Sequence, residues 1–342
     1  MDHNILATLW YLVVGVSIIA YTVLDGFDLG VGILHPFAKG DERRRIFLNA
    51  IGPVWDGNEV WLVIVGGALF AGFPEAYATL FSGFYNLCML LLAALIFRAC
   101  AIEFRSKRES HKWRNFWDIV FSLSSLTIAF GIGFAMGNLV EGVPLDSNHD
   151  LIKSQFNPWK PYPILLGLTT VSLLAMHGAI YLVMKTEGKL QLDLRRWCTR
   201  TIGIFILFYL LTTWATLIYM PHMIDRMRTM PFLFAVAALS LLAIMNVPRE
   251  MTHKNFFRAF LSSSCGIALL VTVFGIGIFP ELIHSSIDPK NNSLTLMNAA
   301  SSPLTLTILL VIVAIGVPLV LAYTFYIYRT FRGKVRIGPS SY

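Results

Sequence analysis

Nine stretches of this chain run for about 18 residues or more with almost no charge, long enough for a helix to cross roughly 30 Å of hydrocarbon. They fall at 8–34, 48–72, 76–97, 118–140, 162–184, 201–220, 230–247, 259–279 and 304–328. The runs are continuous rather than alternating every second residue, so they predict helices and not barrel strands. With 56% of 342 residues hydrophobic and 14% charged, the chain has too little polar surface to coat a water-facing globule. The longest connections, near 141–161 and 280–303, are too short to fold alone. The expected fold class is therefore all-α, a single polytopic membrane domain over 1–342. Its expected arrangement is two four-helix bundles plus a ninth helix. Met1-Asp2-His3-Asn4 offers no basic segment before the first run, so that run reads as a retained helix and not a cleaved signal.

The formal charge is +7, and the position of the basic residues explains it. The segments 35–47, 98–117, 185–200, 248–258 and 329–342 hold 22 of the 27 Lys and Arg residues, and the connections on the other side hold 5. The positive-inside rule then places the N-terminus outside and the C-terminus in the cytoplasm. On this division no basic residue lies in the hydrocarbon, and the basic runs are membrane-facing loops rather than a nucleic-acid surface.

Several chemistries lack their signatures. Cys88, Cys100, Cys198 and Cys265 show neither C-x-x-C nor zinc spacing, and no metal site is indicated. Phosphate-loop, dinucleotide-binding and H-E-x-x-H motifs are missing; Gly30-x-Gly32 lies inside a membrane helix with no strand before it. Of eight histidines only His177 lies clearly within a run, and a lone intramembrane His is more often hydrogen-bonded structure than a haem ligand. Gly26 with Gly30, and Gly133 with Gly137, have the spacing that lets membrane helices approach closely.

Four acids stand out. Asp25, Asp28, Asp56 and Glu59 fall inside the first two runs, where an ionised carboxylate costs at least a few kcal/mol and needs a partner, water or a proton. Counted from the expected inner ends, Asp25 and Asp56 lie at similar depth, roughly 12–13 Å in. Three-residue spacing puts each pair on one helix face. If the antiparallel helices turn those faces together, the four like charges cannot all ionise, which suits a proton relay. The alternative is that the acids only fix packing, through Asn49, Asn58, Tyr21, Trp55, Trp61 or a basic group of a partner.

The residues around these acids resemble a known family. Leu24-Asp25-Gly26-Phe27-Asp28-Leu29-Gly30-Val31-Gly32 is similar to the first helix of subunit II of cytochrome bd quinol oxidases. Pro53-Val54-Trp55-Asp56-Gly57-Asn58-Glu59-Val60-Trp61-Leu62, followed by Gly66-Gly67-Ala68-Leu69-Phe70 and Phe73-Pro74, resembles its second. Phe97-Arg98, Glu103-Phe104-Arg105-Ser106-Lys107 and Trp113-Arg114-Asn115-Phe116-Trp117-Asp118 resemble its third loop and fourth-helix entry.

The resemblance implies a two-subunit core in a bacterial cytoplasmic membrane. Subunit I holds the haem b and haem d groups and oxidises quinol, while subunit II carries no haem. The complex reduces dioxygen to water with cytoplasmic protons, and some members add a small single-helix subunit. Asp56 corresponds to an aspartate associated with a proton route into subunit I. Some members carry an amide where this chain has Glu59. Some hold a quinone in subunit II, for which Trp55 and Arg98 are the candidate contacts. Two other readings of the buried acids are a proton-coupled transporter and a purely structural scaffold subunit.

Overall fold

The computed structural model describes residues 2–336 and 338. Its helices are α1 (His3–Leu34), α2 (Asp41–Ile51), α3 (Trp55–Gly72), α4 (Pro74–Gly83), α5 (Tyr85–Phe104), α6 (His111–Glu141) and α7 (Pro161–Lys185). They continue with α8 (Gly188–Tyr219), α9 (His222–Thr229), α10 (Phe234–Thr252), α11 (Phe256–Ile278), α12 (Pro289–Asn292) and α13 (Pro303–Thr330). Among the described residues eight helices are long and apolar enough to cross a membrane, and α2 with α3 forms a ninth, bent candidate.

That bend corrects the expectation of one straight helix over 48–72. The chain turns by 51° between α2 and α3, at Gly52-Pro53-Val54, because proline offers no N–H to the preceding turn and disfavours helical geometry in the residue before it. Asp56 consequently sits in the first turn of α3. The run expected at 76–97 is also divided, between α4 and α5 at Phe84. Conversely, α6 and α8 begin 7 and 13 residues before the expected 118 and 201. Charged residues such as Lys112 and Arg195 are good helix formers, and a hydropathy pattern sees only the hydrocarbon portion of a longer helix.

Helix α1 lies against α3, α6, α7 and α11, and α6 and α8 flank α7. Glycine sets two of these contacts. A Cβ on Gly30 would strike the backbone at Leu174 and Gly178, and one on Gly178 would strike Gly30 and Val31, so α1 and α7 cross with main chains touching. Gly137 meets Pro163, and Gly133 meets Thr170, across α6 and α7. Beside the first crossing, Phe27 stacks on Tyr181 with ring centroids 4.0 Å apart. His177 stacks on Phe260 and uses both ring nitrogens, one with Ser263 Oγ at 2.7 Å and one with the Val23 carbonyl at 3.1 Å.

At one end, the connections 143–160 and 279–302 fold over the helices, joined by a parallel bridge between Val143 and Ser285, while β1 (Glu281–Ile283) pairs antiparallel with β2 (Leu294–Thr295) within the second. The opposite end, where α1, α5, α7 and α11's neighbour α10 deliver the Arg- and Lys-rich connections, is called the basic end below. Helix α13 leans on α1 and α3 and is largely exposed, with Leu304 72% and Leu319 67% exposed.

Candidate proton-handling site

The intramembrane acids converge on a residue that the division of charges had assigned to a loop. Arg98 lies inside α5 and is 1% exposed, which corrects its assignment to a connection between helices. Its Nη1 donates to Asp25 Oδ2 at 2.8 Å and its Nη2 to Asp25 Oδ1 at 2.6 Å, a two-pronged fork. The same Nη2 also donates to Glu59 Oε2 at 3.1 Å. Apolar residues resume after Arg98 as Ala99-Cys100-Ala101-Ile102, and α5 runs on to Phe104. That resumption is the signal by which the sequence places Arg98 within the span.

Asp28, one helical turn from Asp25, is equally enclosed. Its Oδ2 accepts from Asn58 Nδ2 at 2.7 Å, and its Oδ1 is buried with no hydrogen bond to the protein. Asn58 also donates to the Leu24 carbonyl at 3.1 Å and accepts from the Tyr328 hydroxyl at 2.9 Å, which ties α1, α3 and α13 together. Nothing in the sequence marks Tyr328 for this role, because the contact spans 270 residues.

Asp56 departs from the expected arrangement. It is exposed on the outer surface of α3 while Glu59 is half-buried against Arg98. Three residues along an α-helix leave two side chains about 60° apart around the axis. One can face inward while the other looks out. The four acids therefore form an inward group of three, of which Arg98 bonds Asp25 and Glu59, and a fourth carboxylate on the chain's exterior next to Glu59. Trp55 packs half-buried against the core, and Trp61 is buried with its indole N–H unbonded.

A second polar group, unexpected from sequence, caps the basic end. Asp118, on α6, accepts from His35 Nε2 at 2.6 Å, Arg105 Nε at 2.6 Å and Arg44 Nη1 at 2.9 Å. Asp41 accepts from Arg105 and Arg114, both at 2.8 Å. These residues come from four separate segments, so only the fold brings them together. Among the described residues no cluster of His, Cys, Asp and Glu has metal-ligand geometry.

Comparisons with known proteins agree on one family. The profile described as "Cytochrome bd terminal oxidase subunit II" matches residues 6–331. The chain is 34% identical to "Cytochrome bd-I ubiquinol oxidase subunit 2" of Escherichia coli (strain K12), over 98% of this chain and 96% of that protein. It is 32% identical to "Cytochrome bd ubiquinol oxidase subunit 2" of Bacillus subtilis (strain 168), over 96% of each. Among solved structures, a chain of the bd oxidase from Geobacillus thermodenitrificans superposes with a TM-score of 0.77 at 18% identity, covering 95% of this chain and 98% of that one, which is a likeness of fold.

Proposed function

This chain belongs to the cytochrome bd terminal oxidase subunit II family, and from that membership we propose that it pairs with a haem-bearing subunit I and delivers protons to it. The complex oxidises quinol and reduces dioxygen in a bacterial inner membrane. The N-terminus is outside and the C-terminus cytoplasmic, so the basic end faces the cytoplasm. The first four spans and the next four make two bundles, with α13 as the ninth span. A small single-helix subunit completes the assembly in this reading.

The haem b and haem d groups, held by the partner, supply the electron transfer and oxygen chemistry. This chain's own residues hold and move protons. One guanidinium balances one carboxylate, yet Asp25, Asp28 and Glu59 all lie within its reach or one turn of it. In a low-dielectric interior the surplus acids hold protons rather than charge. Glu59, touching Arg98 on the inside and adjacent along α3 to the outward Asp56, lies between the store and the chain's exterior, where water completes the path. Asp56 then hands the proton to subunit I across the interface. The observation that carries this reading is the outward carboxylate of Asp56 beside an inward group of three acids.

A structural quinone beside Trp55 would meet Arg98 at Nε or at the second N–H of Nη1, because both hydrogens of Nη2 and one of Nη1 are engaged by Asp25 and Glu59. The test of proton delivery is Asp56→Asn in the purified complex. Oxygen consumption slows while haem content and subunit ratio stay intact. Full turnover would remove Asp56 from the route, and loss of subunit I would make it an interface residue and this chain a scaffold.

A further inference from the structure

Hydroxyl side chains in these helices return their hydrogen bonds to the preceding turn, as Ser122, Thr169, Thr170 and Thr186 do. Ser125 does not. Its Oγ is fully buried and makes no hydrogen bond to the protein. Instead it projects from α6 into the space that a side chain at position 32 of α1 would fill, and only glycine there admits it.

Gly32 lies between two other incompletely bonded polar groups, one on α1 and one in the turn just beyond it. One turn toward the middle of the helix is Asp28, with its buried unbonded Oδ1. Three residues toward the basic end is His35, 0% exposed, whose Nε2 meets Asp118 and whose Nδ1 is unbonded. The spacing makes a pattern on both helices. Asp25, Asp28 and Gly32 recur at three and four residues along one face of α1, with His35 three further on in the turn that follows, and Asp118, Ser122 and Ser125 recur at four and three along a face of α6 that also carries the buried Phe121, edge-on to His35. The two helices pack together. The opposite face of α1, at Gly26 and Gly30, is closed by α7, with main chain against main chain at Gly30.

Buried polar atoms are seldom left unpaired, and where protein supplies no partner a water does. We propose that the α1–α6 seam is the passage by which protons reach the buried carboxylates, entering at His35 beside Asp118 and passing the Ser125 hydroxyl, with bridging water, to Asp28. The proposal rests on the reading of those carboxylates as a proton store and names the route that fills it. Each hop is a proton transfer alone: the imidazole takes a proton at one nitrogen as it gives one up, and the hydroxyl accepts one hydrogen bond and donates another. Arg44 and Arg105 hold Asp118, which in turn fixes the imidazole; they are positioning residues. Four residues of helix, a rise of about 6 Å, separate Gly32, against which Ser125 lies, from Asp28, so the hop between them requires bridging water.

The experiment uses the assembled complex in vesicles, with proton uptake from the cytoplasmic side followed by a pH indicator and normalised to haem. Ser125→Ala removes one oxygen and adds no bulk, so it decides the question. Uptake should slow by about tenfold or more, as when a placed proton-transfer group is lost, with unchanged haem content. His35→Gln, which keeps a donor for Asp118 but cannot relay, should slow it likewise. A mere packing defect would lower the yield of complex and not the uptake rate per haem. Wild-type uptake in Ser125→Ala overturns the seam. Asp56→Asn, measured in parallel, separates the two ideas: if it is slow while Ser125→Ala is normal, the carboxylate reading stands and only the entry route is wrong. If both are normal, both readings fall.

Discussion

Arg98 holds Asp25 with both terminal nitrogens of its guanidinium, at 2.8 and 2.6 Å, and neither side chain is more than 1% exposed. An ion pair so enclosed is an uncertain source of stability, because two desolvation costs offset the attraction, but removing one partner strands the other.

Arg98→Met should therefore destabilise the protein by about 3–5 kcal/mol, the cost of leaving a buried charge without its counter-charge. Arg98→Met combined with Asp25→Leu should recover part of that loss. Melting of the purified complex, followed by haem release, checks this, and a double variant no more stable than the single one would show that the pair does not act as a unit.

The glycine crossing leads to a separate expectation. A Cβ at position 178 meets the main chain of Gly30 and Val31, which cannot rotate away. Gly178→Ala should cost about 1–3 kcal/mol as overpacking, whereas Gly203→Ala, with nothing near its Cβ in this chain, should be neutral or slightly stabilising through helix propensity. The melting midpoints of the two variants give the comparison.

These two cases show how much of the molecule was readable beforehand. Span number and the small-residue contacts follow from local features, namely apolar length and glycine spacing, and the structure displays both. Pro53 was visible too, but a hydropathy pattern does not weigh one proline against a run of 25 largely apolar residues, so the bend and the outward turn of Asp56 escaped. Arg98 was misassigned for a related reason. Loop counting asks only whether a residue is charged, and a guanidinium neutralised by Asp25 behaves within the membrane as part of a dipolar pair. Asp118 with His35, Arg44 and Arg105 depends on contacts between residues 35–44 and 105–118, which lie 74 and 83 positions apart at the Arg44 and His35 bonds, and no local pattern encodes it.

On the face away from the basic end, His222 donates from Nε2 to the Val140 carbonyl at 2.9 Å and stacks on His284 at 4.6 Å. Burial, and then the neighbouring His284, lower its pKa below 6.5, while the Val140 carbonyl, Glu281 and Asp225 oppose the shift. A histidine whose folded pKa is depressed binds fewer protons folded than unfolded in that interval. Its contribution to stability is fully present above about 6.5 and is lost as pH falls through the lower, folded value. The melting midpoint should thus fall on acidification below 6.5, and His222→Gln should flatten that part of the curve. An identical slope in the variant would assign the titration elsewhere.

Tyr328 reaches from α13 to Asn58 Oδ1, the last link in the chain Tyr328–Asn58–Asp28. Tyr328→Phe removes that donor and leaves the Asn58 bond to Asp28 in place, for a loss of about 1 kcal/mol. Asn58→Leu strips Asp28 of its protein donor and should cost more, about 1–3 kcal/mol. Equal melting midpoints for the two variants would mean that Asp28 gains nothing from Asn58.

Glu59 distinguishes a proton carrier from a mere acceptor. Its Oε2 takes one hydrogen bond from Arg98 Nη2, and its side chain is 20% exposed. Glu59→Gln keeps an oxygen for that bond but cannot carry a proton, and Glu59→Leu keeps neither. If Glu59 is an obligatory step between Arg98 and Asp56, both variants slow oxygen consumption alike. If its main task is to share Arg98 with Asp25, the amide suffices and only the leucine fails. The geometry favours the second outcome for assembly, because Arg98 already has two bonds to Asp25. It favours a partial effect on rate, because Asp56 lies only three residues away and a water can span so short a gap. Glu59→Gln should therefore turn over within about threefold of the parent, against about tenfold or more lost in Asp56→Asn, and haem-normalised oxygen uptake on the two variants side by side measures the difference. A Glu59→Gln complex as slow as Asp56→Asn would make Glu59 the sole bridge out of the buried acids.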